Sequence, residues 1–136
     1  YFSQARTVKE AQAEAAFAIK QVEASSCKIT LPLVIDTENY PGGRASSSKL
    51  SRSKRTAAVK AFCDYVKSKG YTPMIYASTS WLNNNLDMKK LSGYQVWVAQ
   101  YNDSVTYKGS YRCWQYTSSG KVPGISGRVD LNYWTL

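Results

Sequence analysis

One stretch constrains this chain more than any other: Leu31-Pro32-Leu33-Val34-Ile35-Asp36-Thr37-Glu38. A short apolar run, rich in β-branched residues, ends abruptly in two carboxylates spaced i, i+2. Side chains alternate across a strand, so residues two apart point the same way, with Cα atoms roughly 6.5–7 Å apart. A fully apolar strand of this kind is usually buried on both faces, as in a parallel sheet covered by helices. The carboxyl edge of such a sheet is where open α/β folds and (β/α) barrels place their chemistry. Two acids aimed together at that edge suit acid/base or glycosyl-transfer work. The alternative is a strand-end acid capping the next turn beside a solvated neighbour.

The rest of the composition narrows the options by exclusion. A chain of 136 residues is long enough for one domain, residues 1–136, with a real core. There is no histidine, which removes Ser-His-Asp and Cys-His catalysis and most zinc sites together. Cys27, Cys63 and Cys113 lie far apart without metal-type spacing, so buried thiols are the expectation, with one bridge plus one free thiol still open. A formal net charge of +9 favours an anionic partner such as nucleic acid, acidic lipid or an anionic cell-wall polymer. The basic residues cluster most clearly at Lys49, Arg52, Lys54, Arg55 and Lys60, where a solvated helix face is the ordinary meaning. The sequence holds no apolar run long enough to span a membrane and no signal peptide. It starts at Tyr1-Phe2-Ser3 rather than Met, which reads as the tail of a strand already in progress, as if an N-terminal portion had been removed.

Along the chain the hydrophobic period alternates. Thr7-Val8-Lys9-Glu10 fits a capping box, and Val8, Ala11, Ala15, Ile19 and Val22 continue a helical stripe to about Ala24. An apolar strand follows from about Lys28 to Ile35, then a Pro-, Gly- and Ser-rich loop from Tyr40 to Ser51. A second helix is predicted from about Arg52 to Lys69 with Val59, Phe62, Cys63 and Val66 inward, closed by Gly70 and Pro73. Strands are predicted at Tyr71–Ala77, Tyr94–Tyr101, Tyr111–Thr117 and Arg128–Trp134, with a short helix or turn at Ser80–Asn85. This order argues for an α/β fold with parallel strands and helices thinning toward the C-terminus.

Aromatic and amide residues gather near the same strand ends: Tyr76 before Ala77-Ser78, Trp97 to Tyr101 before Asn102-Asp103, and Trp114-Gln115-Tyr116 before Thr117. Arg128-Val129-Asp130-Leu131-Asn132 adds another acid. Flat aromatic faces suit the C–H faces of sugars, and amides and carboxylates suit their hydroxyls. Taken singly, each aromatic is equally an ordinary β-former filling core.

Taken in order, Val34-Ile35-Asp36-Thr37-Glu38, Gly70 to Tyr76, Trp97-Val98-Ala99-Gln100-Tyr101, Trp114-Gln115-Tyr116 and Val129-Asp130-Leu131-Asn132 resemble the glycoside hydrolase family 25 lysozymes. These are the muramidases of bacterial autolysins, phage endolysins and fungal secreted lysozymes. The resemblance covers essentially the whole chain. It implies a partial (β/α) TIM-like barrel, the last two thirds of the family fold, lacking the first two strands, with Tyr1-Phe2-Ser3 at the end of the third.

By position, Glu38 resembles the family's general acid, and Asp36 the partner carboxylate that stabilises positive charge or positions the substrate's acetamido group. Asp130 resembles the C-terminal acid of the cleft, and Tyr76, Trp97, Gln100, Tyr101 and Gln115 the lining of the saccharide groove. A neighbouring carboxylate would help the acid keep its proton. Carboxyls about 5–5.5 Å apart would favour retention and about 6.5–9.5 Å inversion. The family's further acid on its first strand has no counterpart here.

The implied activity is cleavage of the β-1,4 bond between N-acetylmuramic acid and N-acetylglucosamine. The implied partners are peptidoglycan glycan strands and anionic cell-wall polymers, without nucleic acid, membrane, metal or cofactor. The implied place of action is extracellular or the cell wall, secreted or phage-delivered. Open barrel edges would invite self-association. The competing readings are a non-catalytic saccharide-binding module of the cell wall and a basic nucleic-acid binder, the latter suggested only by charge and interleaved aromatics.

Overall fold

The computed structural model describes residues 1–135. Helix α1 (Val8–Ala24) starts at the predicted cap: Thr7 is extended and its hydroxyl accepts the Glu10 N–H at 3.2 Å. The Glu10 carboxylate reaches back one residue further than a capping box requires, accepting the Arg6 N–H at 2.7 Å. Ala11, Ala15 and Ile19 form the buried ridge. Val8, expected in that stripe, is 46% exposed, because it stands at the open first turn and the buried ridge begins at Ala11.

Strand β1 (Leu33–Asp36) is shorter than predicted. Pro32 has no N–H to give a ladder, and pairing begins at the Leu33 N–H, which donates to the Thr72 carbonyl at 2.8 Å. Leu31, upstream of that point, is 65% exposed. Nor is the strand buried on both faces: only Ile35 is, because the side carrying Val34 and Asp36 opens onto a hollow instead of a second layer.

Helix α2 (Arg52–Ser68) is capped by the Ser51 hydroxyl and buries Val59, Phe62, Cys63 and Val66 as expected. It ends in a Schellman turn, with Tyr71 N–H donating to the Val66 carbonyl and Gly70 N–H to the Lys67 carbonyl. Gly70 supplies the positive φ of 84° that this turn needs. The remaining elements are β2 (Pro73–Ser78), α3 (Thr79–Asn85), a single 3-10 turn (Met88–Leu91), β3 (Gln95–Ala99), β4 (Cys113–Gly120) and β5 (Val129–Trp134).

The strands lie in sequence order in one curled sheet. β1 to β4 run parallel, but β5 is antiparallel to β4. The parallel strands expected from the sequence are β1 to β4, and β5 turns back for a reason of reach. A parallel return needs a crossover of about a dozen residues or more, whereas residues 121–128 with their Pro123-Gly124 only reverse the chain. Register shifts at Gln115/Thr117 and Thr117/Gly120 bend β4. The result is a half-barrel with its helices on the outside. Tyr1 to Ser3 extend it by one short edge: Asp36 N–H donates to the Tyr1 carbonyl and Ser3 N–H to the Asp36 carbonyl, with Phe2 bridged parallel to Asp36.

The core lies between this sheet and the helices. Ile35, Ile75, Ala77, Val96 and Val98 meet Ala58, Val59, Phe62, Cys63 and Val66 of α2, and α1 packs along α2 through its alanines. Cys63 and Cys113 are buried free thiols, as expected; Cys27 is free too but exposed, in the irregular segment after α1. Phe62 is the largest fully buried side chain. Truncating it to alanine should cost about 3–5 kcal/mol, read as a shift in the urea midpoint at unchanged m-value.

Candidate active site

Parallel pairing in register sets Asp36 beside Tyr76 and Tyr76 beside Trp97. The alternate residues of these strands fill the helix-facing core, so this row stands on the opposite, concave face. Further along the strands Ala99 pairs with Gln115, and Gln115 with Asn132. The sequence thus needs only strand alternation and three aligned strands to bring residues far apart in the chain to one edge.

Two adjoining hollows open on this face. One, of about 350 Å³, is lined by Tyr1, Val34, Asp36, Glu38, Tyr76, Trp97, Gln115 and Asp130. The other, of about 320 Å³, is lined by Glu38, Tyr76, Ser78, Ala99, Gln100 and Tyr101. Glu38 and Tyr76 belong to both. The eight residues that the resemblance assigned therefore all lie at one or the other: besides Glu38 and Tyr76, Asp36, Trp97, Gln115 and Asp130 are at the first, and Gln100 and Tyr101 at the second.

The polar groups here are held from behind. Gln115, 4% exposed, accepts the hydroxyls of both Tyr76, at 2.8 Å, and Tyr101, at 2.7 Å, on its Oε1. Trp97 packs edge-on against Tyr76, centroids 5.0 Å apart, and its Nε1 donates to Asn132 Oδ1 at 2.9 Å. Gln100 is committed to its own loop and to the start of α3: its Oε1 accepts from the Thr79 hydroxyl at 2.7 Å and the Thr106 N–H at 2.9 Å. Trp114 lies on the other face of β4, packed with Tyr116 and Tyr133.

Asp36 is the electrostatic outlier. Burial, then repulsion from Glu38, push its carboxyl up to about 6, against the pull of the Tyr1 amino group. Among the described residues its buried Oδ1 has no hydrogen-bond partner, so the ionised form gets little compensation there. The Tyr76 phenol is likewise held above its ordinary range, by burial first and then by Tyr101 and the acids around it.

Sequence reasoning missed three supports. Asn132 was readable, since it stands two residues from Asp130 on the same strand and so on the same side. Thr37 and Trp81 were not: Thr37 is buried between half-buried Asp36 and exposed Glu38, and its hydroxyl accepts the Trp81 Nε1–H at 3.0 Å. Arg55, taken as part of a solvated basic face, is 3% exposed. Its guanidinium lies 4.6 Å over the Trp81 ring and donates to the carbonyls of Ser46 at 3.0 Å and Leu50 at 2.7 Å. The planar fork sets its two terminal nitrogens on backbone carbonyls, which a lysine could not match, while its Nε is buried without a partner among the described residues.

Comparison with known proteins places this geometry. The glycosyl hydrolases family 25 profile matches residues 1–125. The lysozyme of Lactococcus phage mv1 is 30% identical over 124 residues, covering 86% of this chain and 60% of the phage protein. Among solved structures, the modular autolysin LytC of Streptococcus pneumoniae, in complex with a synthetic peptidoglycan ligand, superposes with a TM-score of 0.86 at 24% identity, covering 98% of this chain and 32% of that one. The bacterial lysozyme of Streptomyces coelicolor gives a TM-score of 0.73 at 25% identity, covering 98% of this chain and 64% of its own. The chain thus spans less than two thirds of each of these relatives. On the matched residues, the chain belongs to the glycosyl hydrolases of family 25.

Proposed function

We propose that this chain is a peptidoglycan hydrolase of the muramidase type, acting at the cell wall. It would cleave the β-1,4 bond between N-acetylmuramic acid and N-acetylglucosamine. The observation that carries this reading is that Glu38 and Tyr76 are shared by both hollows. A glycan strand lying across the two sets one sugar in each, with the linking oxygen over Glu38. The acid-flanked hollow then receives the ring that becomes oxocarbenium-like, and Asp36 and Asp130 face its developing positive charge.

The chemistry asks for one proton on the acid pair. With its carboxyl raised to about 6, Asp36 keeps its proton in mildly acidic solution in the free protein. Glu38, the exposed member, hands a proton to the leaving oxygen once the bound glycan has moved that proton from Asp36 to it. The same aromatic floor and amide-braced tyrosines supply the orientation that makes such a transfer efficient.

Three outcomes test the reading. Glu38→Gln should slow clearing of a peptidoglycan suspension by about 10²-fold or more while co-sedimentation with the walls persists. Clearing unchanged by this substitution would refute the assignment, and wall binding without clearing by the unsubstituted protein would favour the saccharide-binding module. The clearing rate should fall as pH rises through about 6, where Asp36 gives up its proton; a rate flat to pH 8 would contradict it.

Stability should move the opposite way to function. An acid whose folded pKa lies above its unfolded value contributes stability that is present at low pH and lost as pH rises through the folded pKa. For Asp36 that window runs from about 4 to about 6. Allowing for solvent at a half-buried carboxyl, the penalty above it is about 1–2 kcal/mol. Asp36→Asn should therefore melt a few degrees higher than the parent protein at pH 7.5, match it at pH 4, and lose clearing activity.

A further inference from the structure

Asp36 and Glu38 are separated by one residue, and that residue points away from both. Thr37 is 6% exposed. β1 ends at Asp36, and the Thr37 N–H, donated to the Tyr76 carbonyl at 3.1 Å, carries the ladder one residue further. Beyond it the chain enters the loop that leads to α2. The direction of Glu38 is therefore set by whatever holds Thr37.

That hold is a side-chain bond. The Trp81 Nε1–H donates to the Thr37 hydroxyl at 3.0 Å in a buried setting. Trp81 stands in the first turns of α3, whose own start is fixed by the Ser78 hydroxyl accepting the Trp81 N–H at 3.1 Å. Its indole is 5% exposed and lies under the Arg55 guanidinium, 4.6 Å from the ring centre. Arg55 in turn donates to Ser46 and Leu50 in the loop after Glu38 and to the Asn85 carbonyl at the end of α3 at 3.3 Å. One buried cation thus ties down the indole, the helix that carries it and the loop that departs from the acids.

We propose that Trp81 and Thr37 are positioning residues: their indole-to-hydroxyl bond fixes the rotation of the strand tip so that the carboxylates on either side of Thr37 both project into the groove, with Arg55 seating the indole. Strand alternation supplies the logic, since holding the middle residue of three toward the helices turns its two neighbours the other way. Misplacing reacting groups by about 1 Å can cost about 10²-fold in rate. The kinetic consequence rests on the muramidase reading; the geometric one does not.

The test uses Trp81→Phe, which keeps an aromatic ring under Arg55 but removes the donor, Thr37→Val, which removes the acceptor at nearly constant shape, and Thr37→Ser, which restores it. Initial rates on sonicated, soluble peptidoglycan give kcat and KM, and carbon NMR of the Asp36 carboxyl gives its titration midpoint. All are measured at temperatures where circular dichroism shows each protein folded. Trp81→Phe and Thr37→Val should lower kcat at least about tenfold with KM within about twofold, and move the Asp36 midpoint from about 6 toward its ordinary value as Glu38 and the tip loosen. Thr37→Ser should bring both back. Melting temperatures lowered with kcat, KM and the Asp36 midpoint unchanged would make the bond merely structural and overturn the proposal. If no protein, parent included, hydrolyses the substrate, the muramidase reading fails, and the Asp36 midpoint alone still judges the positioning.

Discussion

The in-register parallel pairing of β1, β2 and β3 is the constraint on which the rest depends. It aligns Asp36, Tyr76 and Trp97 in one row, and by the same alternation it delivers Ile35, Ile75, Ala77, Val96 and Val98 to the helices. Site and core are two faces of one set of hydrogen bonds. A slip of one residue in any strand would exchange them, putting an acid or an aromatic hydroxyl against Phe62 and an isoleucine into the groove. The apolar face opposes that slip with a cost the polar face could not impose alone, so the packing of α2 keeps the register of the groove residues.

Much of this was legible in the sequence because it rests on local rules. Thr7, Ser51 and Gly70 mark helix ends through their own side chains or lack of one, and they stand where the helices begin and end. The alternation of hydrophobic strands with helical stripes pointed to an α/β fold, and the half-barrel came with the family resemblance. What local rules cannot carry is what lies across from a segment. Lys28–Leu31 continues the run that leads into β1 but pairs with no strand among the described residues, so it stays outside the sheet. The direction of β5 follows from the length of the preceding connection, not from the composition of the strand. Arg55 sits in a run of cations that reads as solvated, and only tertiary structure supplies the ring of carbonyls that takes it inside. For the groove, the two acids and the aromatics were readable as motif residues, whereas Thr37 and Trp81 were hidden because their partnership joins a strand tip to a helix some forty residues on.

The same groove carries a visible energetic burden. A carboxylate with a buried, unpartnered oxygen beside a second carboxylate is an arrangement that folding alone would remove. Its persistence is the pattern expected where a strained local charge serves chemistry and the surrounding core compensates. Here the compensation is close at hand, in the dense layer of Ile35, Ile75 and Phe62 directly behind the acids.

The double hydrogen bond on Gln115 has a consequence for what the groove can welcome. Both tyrosine protons point inward to one carbonyl oxygen, so the phenols turn only lone pairs toward the hollow. Any ionised carboxylate bordering the hollow likewise offers lone pairs alone. The floor of the groove is thus a field of acceptors. A guest rich in hydroxyl and amide protons finds complementary partners at every turn, while one that presents mainly oxygens of its own meets repulsion. Selectivity is written into the direction of two hydrogen atoms, and the residue that sets them never needs to touch the guest.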